Sequence, residues 1–501
     1  MQQPRRIVIV GGGTAGWMAA AAFGRFLTPH YEVTLVESDA IGTVGVGEAT
    51  IPQIQLFNNA LGINEPDFIK ATAGSFKLGI VFDGWWRPGH RYIHAFGTVG
   101  RGQGLIGFHH YWLRYRRNGG AHDFWRCSAN AQAAFANRFG LGVPDAGVAI
   151  PYAFHFDASL YAAYLRRYAE ARGVQRIEGR IDAVSRHGET GDILNLSLEG
   201  GRTVAGDLFV DCSGFRSLLL GEALGVGFDD WSNWLPCDRA LAVPCASAEP
   251  FTPYTKASVR PAGWQWRIPL QHRTGNGYVY CSALVSDDEA AHTLLANLDG
   301  APLAEPRLLR FTAGKRREVW RGNCVALGLA GGFLEPLEST SIHLIQTGIA
   351  RLLQYLPGAG FGQADIASFN AQTDFEYTAI RDFLILHYAA TERDDTEFWR
   401  ARRAMAIPDS LRARIDLFAA DGRFVRNGEE LFAEQGWLQV MLGQGILPRG
   451  YHPLADSLSL LQLDELMGQA QRQTDAALAR FMDHGAFILR HCAMPNTESA
   501  A

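Results

Sequence analysis

The stretch that most restricts what this chain can fold into is its opening, RRIVIVGGGTAGWMAAAAFG. The run over residues 6 to 10, β-branched from Ile7 onward, reads as a strand buried on both faces. GGGTAG follows, then the helix formers WMAAAAFGRFL, then a second strand, YEVTLVE, ending in Glu37. Strand, G-x-G-x-x-G (Gly11, Gly13, Gly16), helix, strand and acid thus fall in order within the roughly 30 residues of a βαβ unit. The glycines, with Thr14 and Ala15 between them, let backbone approach a pyrophosphate at the helix N-terminus, and Glu37 can accept a ribose hydroxyl. The plain alternative is a tight strand-to-helix turn. Basic residues before an apolar run also suggest a signal peptide, but three consecutive glycines interrupt it. Nowhere else does the chain offer the roughly 18 uncharged apolar residues that a spanning helix needs, so no membrane segment is expected.

The chain has 501 residues, beyond the roughly 250–300 at which one core usually divides, so two interleaved modules are expected. With 47% hydrophobic and 19% charged residues and a net charge of −5, it reads as globular, with no basic run to track nucleic acid. Seven cysteines, an odd number without a C-x-x-C pair, indicate neither a zinc site nor a disulfide framework and fit a reducing cytoplasm.

Only the N-terminus carries a Gly-rich βαβ fingerprint, so the expected dinucleotide is FAD, with no separate nicotinamide site. DASLYAAYLRRYAEARGV (157–174) is amphipathic with a Gly stop, and the segment after it alternates short strands with Gly turns as a β-meander. That meander leads to DLFVDCSGFRS, where Asp211 and Gly214 would stand at the carboxyl end of a strand near the cofactor. GWQWRIPL and NGYVYCSALVS are expected to pair across a sheet. NCVALGLAGGF (323–333) reads as a further strand before a long amphipathic helix, and from about residue 350 the pattern is mostly helical. The module boundaries follow: 1–350 for a cofactor-binding module with an inserted antiparallel sheet, and 351–501 for a mainly helical module contributing to the substrate pocket.

One cation interrupts the apolar run GSFKLGIVFDGW. Lys77 there either snorkels to water or is buried for a purpose. Its neighbours decide. GGGTAGW (11–17), GVGEAT (45–50), Lys77 in FKLG, DCSGFRS (211–217), GWQWRIP (263–269) and GLAGGFLEPLEST (328–340) together resemble the flavin-dependent halogenases of the tryptophan halogenase family. The resemblance runs from residue 6 to about 400. It implies an α/β fold with a Rossmann-type FAD module like that of the flavin hydroxylases, carrying an inserted antiparallel sheet, plus a helical module. In such enzymes reduced FAD (FADH2) and dioxygen turn chloride or bromide into hypohalous acid, which travels inside the protein to a lysine beside a bound aromatic ring.

Carried over residue by residue, the resemblance makes Lys77 and Glu338 the catalytic pair. Lys77 holds the halogen donor as an ammonium or forms a haloamine, and Glu338 polarises that donor or takes the arenium proton. Glu335, three residues earlier, is the competing carboxylate. Trp264, Trp266, Ile268 and Pro269 form the family's W-x-W-x-I-P string, screening the passage against hydroxylation; its bland reading is two aromatics packed on one strand face. Thr340 and Ser341 open a helix where backbone N–H groups suit a halide, although glycine commonly stands where this chain has Ser341. Leu329 replaces the Asp of the Gly-Asp pair usual in flavin hydroxylases. Ala49 is assigned to a strap linking flavin and substrate, and Ile181 to a backbone contact with adenine. His109, His110 and His387 either line the substrate pocket or serve as structural groups; adjacent histidines without a third ligand make no metal site.

No amino-acid clamp of paired tyrosines is found between 425 and 460, where Tyr451 and Trp437 stand alone, so free indole or a substituted indole is as fitting a small aromatic substrate as tryptophan. A separate flavin reductase is the expected partner. An aromatic hydroxylase and a non-catalytic flavin-binding protein are the rival functions.

Overall fold

The structure is a computed structural model that describes residues 5–40, 47–143, 148–356, 360 and 362–495. Its first layer is a six-stranded sheet centred on Arg5–Val10, which pairs in parallel with Tyr31–Glu37 on one side and Leu208–Asp211 on the other. Gln175–Glu178 extends one edge in parallel, and Cys324–Ala326 extends the other with the antiparallel Trp320–Arg321 beyond it. The central strand is unbrokenly apolar from Ile7 to Val10 because both faces are covered. Helix Thr14–Phe26, buried from Gly16 to Gly24, packs on helix Ala158–Glu170.

The second layer is a seven-stranded sheet in the order Arg307–Arg310, Arg239–Cys245, Thr274–Tyr280, Gly263–Pro269, Thr255–Arg260, Gly79–Asp83 and Arg91–Ala95. All its pairings are antiparallel except that of Thr255–Arg260 with Gly79–Asp83. The expected pairing of the tryptophan strand with the NGYVY strand is present, Trp266 lying opposite Gly277. Residues 181–205 form the expected three-stranded meander. Between the layers, Gly47–Ala49, Ala153–Asp157 and Ser75–Lys77 make a small sheet. Lys77 therefore sits where the chain leaves this small sheet and, one residue later, enters the large one.

One feature differs from expectation. Residues 323–333 are not one strand: Cys324–Ala326 ends at a short 3-10 turn, Gly328–Ala330. Gly328 adopts φ +63°, and a Cβ there would lie 2.8 Å from that of Ala15, so the turn presses the chain against the glycine loop. Residue 350 falls inside helix Ser341–Gln354, and one apolar core runs across it, joining Phe82, Trp85, Trp264 and Trp266 to Phe383, Trp437 and Met467. The later chain is helical, led by the 27-residue helix Gln363–Ala389. No helix among the described residues is long and apolar enough to cross a membrane.

Candidate active site

A cavity of about 520 Å³ opens at the carboxyl ends of the parallel strands, floored by Gly11–Ala15. Each glycine of the loop has a separate reason. Gly11 holds φ +111°, and a Cβ there would stand 2.3 Å from the Cys212 carbonyl; one on Gly16 would meet the Gly11 carbonyl at 1.8 Å. A Cβ on Gly13 would meet nothing within 4 Å, because Gly13 faces the cavity. Gly13 is also the N-cap of helix Thr14–Phe26 and supplies no side-chain acceptor, so the first N–H groups are left for a ligand. Glu37 lines the same space, with one oxygen held by Arg176 and the other beside Gly12. Ala49, Ile181, Gly214 and Leu329 also line it. Turn, helix end, acid and volume fit a dinucleotide.

Gly16 and Asp211 do not reach this cavity. Gly16 serves the backbone crossing just described. The Asp211 carboxylate is consumed internally, accepting from Ser213 N and Oγ and from the amides of Leu219 and Leu220, so it folds the 213–223 segment rather than meeting a ligand.

Across the cavity runs the PLEST loop. Pro336–Glu338 is a single 3-10 turn, Ser339 takes a left-handed φ of +59°, and helix Ser341–Gln354 begins two residues later. A non-glycine residue in that region needs outside support, and Lys77 supplies it. Lys77 Nζ donates to Ser339 Oγ at 2.7 Å and to the Thr50 carbonyl at 2.9 Å, 5.5 Å from the Phe96 ring centroid. Ser339 lines the cavity, so it links the lysine to the cofactor side. Lys77 is wholly inaccessible to solvent, which excludes snorkelling. Desolvation lowers its ammonium to about 7, against the opposing pull of the Glu338 charge.

Glu338 is 1% exposed and held from two sides. His94 Nδ1 lies 3.0 and 2.9 Å from its two oxygens, and His387 Nε2 lies 2.8 Å from Oε1. Nδ1 of His387 donates to the Phe383 carbonyl at 2.8 Å, so its Nε2 donates to Glu338 only as the imidazolium, with both ring nitrogens protonated. Desolvation pushes the Glu338 carboxyl up, but the two histidines outweigh it and hold it at about 2. Lys77 thus bonds Ser339, the residue next to Glu338 in the chain, and both Lys77 and Glu338 are buried.

Trp266 and Ile268 line the cavity, whereas Trp264 stands behind, its ring 6.2 Å from that of Trp266 and its indole N–H donating to Glu335 at 2.9 Å. The Pro269 carbonyl accepts from Ser75 Oγ at 2.7 Å, tying the tryptophan strand to the lysine strand. Thr340 is buried, its Oγ1 without a hydrogen-bond partner among the described residues, and Ser341 lies on the cavity wall.

Neither His109 nor His110 lines this cavity. Helix Phe108–Arg117 turns them toward the 422–452 region, where His109 Nε2 donates to the Gly422 carbonyl at 2.8 Å and His110 Nδ1 accepts from the His452 amide at 3.2 Å. Burial pushes them down to about 4 and about 3, which favours the neutral rings. Among the described residues no cluster of three or more histidines, cysteines or acids is placed to hold a metal, and all seven cysteines are buried and free. Sequence reasoning missed His94, Thr50 and Ser339. Ser339 was in plain view between Glu338 and Thr340; His94 had no local signal, since its partner Glu338 lies 244 positions away.

A Rossmann-type turn flooring a cavity, joined through the PLEST loop to a buried lysine and carboxylate, is the arrangement of a flavoprotein of the FAD-dependent α/β class. Residues 6–459 match the family model for tryptophan halogenase. The tryptophan 6-halogenase SttH of Streptomyces toxytricini is 36% identical over 445 residues, covering 83% of this chain and 84% of that one. Two solved structures superpose closely. Xcc4156, a flavin-dependent halogenase from Xanthomonas campestris, is 51% identical with a TM-score of 0.96 and 99% of both chains covered. BrvH, a flavin-dependent halogenase from Brevundimonas sp. BAL3, is 45% identical with a TM-score of 0.94, covering 98% of this chain and 99% of its own. The chain belongs to the tryptophan halogenase family. It is a flavin-dependent halogenase, an enzyme that uses reduced FAD, halide and dioxygen.

Proposed function

We propose that this enzyme halogenates an electron-rich, indolic aromatic, with Lys77 presenting the oxidised halogen and Glu338 completing the substitution. The carrying observation is that Lys77 and Glu338 share one solvent-free site, linked through Ser339 to the cavity wall. FAD, when bound and reduced, would supply with dioxygen the oxidising equivalent that turns halide into hypohalous acid. The Gly11–Ala15 turn would hold its pyrophosphate, Glu37 its ribose, Ile181 the adenine, and Gly214 and Leu329 the remaining walls. The first helical turn after Thr340, with the unpartnered Thr340 Oγ1, would hold the halide.

An ammonium has three N–H bonds. Lys77 spends two on Thr50 and Ser339, and the third is left to hold hypohalous acid at one point, which is what regioselectivity requires of an otherwise indiscriminate reagent. Glu338, kept ionised between His94 and His387, takes the proton from the ring carbon that the halogen attacks. His94 meets Phe383 and Phe432 within about 6 Å, centroid to centroid, so the wall beside Glu338 is aromatic and suits a flat ring. Tyr451 is bonded to Asp456, and Trp437 packs on Phe383 beneath Arg414, so neither builds an amino-acid clamp. That favours free or substituted indole beside tryptophan, the substrate named for SttH. A separate flavin reductase supplies FADH2.

The experiment is a mass-spectrometric assay with FADH2, oxygen, bromide or chloride, and indole beside tryptophan. Halide-dependent mass gain that disappears in Lys77→Met supports the reading; hydroxylated product without halide, surviving that substitution, would show a hydroxylase instead.

A further inference from the structure

The loop Glu335–Pro336–Leu337–Glu338 carries two buried carboxyls, and consecutive residues of helix Gln363–Ala389 meet them. His387 reaches Glu338, and Tyr388 reaches Glu335. Glu335 does not line the cavity and has no contact with Lys77. Its Oε2 accepts from the Tyr388 hydroxyl at 2.5 Å and from the Trp264 indole N–H at 2.9 Å, while its Oε1 has no partner among the described residues, in a residue wholly shielded from solvent. A half-satisfied acid in a core walled by Trp85, Trp264, Tyr388 and Trp399 is unfavourable for packing alone.

What Glu335 does is join three segments that each carry part of the site. They are the PLEST loop with Glu338 and Ser339, the strand with Trp264, Trp266 and Ile268, and the helix with His387. The loop has little regular structure of its own, being one 3-10 turn followed by a left-handed residue, so its placement depends on such ties. We propose that Glu335 is a positioning residue: its paired bonds to Trp264 and Tyr388 set the tryptophan pair and the Glu338 loop relative to each other, and so set the fraction of oxidised halogen that reaches substrate. The inference rests on the Lys77–Glu338 reading. Burial pushes the Glu335 carboxyl up to about 7, against the two donors that lower it. Its task is therefore to accept two hydrogen bonds, which a glutamine also does.

The test compares E335Q, E335L and Y388F with K77M. One readout is single-turnover yield of halogenated indole per enzyme-bound reduced FAD with bromide; others are FAD affinity and, in the protein without cofactor, the ultraviolet resonance Raman band of the indole N–H, assigned to Trp264 with W264F. Glutamine is expected to hold the yield within about 3-fold, and leucine to lower it by about 10-fold or more, as loss of a buried hydrogen-bonding group implies. FAD affinity stays unchanged, and the Raman band shifts in leucine alone. Y388F, which removes one donor at constant volume, is expected to lower the yield in part, and it decides the matter if E335L does not fold. Wild-type yield in E335L or in Y388F overturns the proposal, as does equal loss in glutamine and leucine. If K77M still halogenates, the site assignment fails; if K77M is dead while E335L or Y388F keeps full yield, only the role of Glu335 fails.

Discussion

Lys77 and Glu338 are buried charges with opposite consequences for stability. Burial lowers Lys77 to about 7 in the fold, against about 10.4 in an unfolded chain. Between those values the unfolded chain binds more protons, so the contribution of Lys77 to stability rises with pH across that window, and its burial opposes folding below it. Lys77→Met is therefore expected to lose halogenation by about 10²–10⁴-fold while its melting temperature at pH 7 holds or rises. Glu338→Ala, which strands His94 and His387 without their carboxylate, is expected to lose about 3 kcal/mol in a denaturant titration. Glu338, depressed to about 2, contributes stability that is present above its unfolded value and is lost as pH falls toward 2. If Lys77 acts as the ammonium, the single-turnover rate falls about tenfold per unit as pH rises above about 7. A rate that climbs above 7 instead would identify a neutral amine and a haloamine.

At the scale of elements, the glycine turn separates two kinds of glycine that look alike on paper. Gly11→Ala drives a Cβ into the Cys212 carbonyl at a left-handed φ, so yield of folded protein drops. Gly13→Ala, at φ −74° with space around it, leaves the fold intact, and a fluorescence titration is expected to show weaker FAD binding. The helix Ser341–Gln354 makes a parallel prediction. Thr340→Val, nearly isosteric, raises the KM for halide by about 10-fold, the worth of one hydrogen bond to a charged group, without changing FAD affinity. The turn, the tryptophan strand and its partner were readable from local pattern because periodicity and glycine spacing are local properties. The 3-10 turn at Gly328–Ala330 was not, since it exists to meet Ala15, more than 300 residues away.

For the whole molecule, the boundary expected at residue 350 falls inside helix Ser341–Gln354. Because one core joins residues from Phe82 to Met467, fragments 1–350 and 351–501 expressed apart are expected to show no cooperative thermal transition, whereas the full chain does. The reductase expectation is checked by oxygen and NADH consumption: the purified enzyme alone oxidises no NADH, and adding an unrelated flavin reductase restores product. The order of motifs along the chain was enough to announce a dinucleotide turn, a W-x-W-x-I-P strand and a PLEST helix start, since each is written in adjacent residues. What only the folded chain settled is who stands beside whom. His94 and His387 close on Glu338, Ser339 bridges Lys77 to the cavity, Asp211 turns inward, and His109 and His110 point away, because burial and cross-strand register are set by residues far apart in sequence.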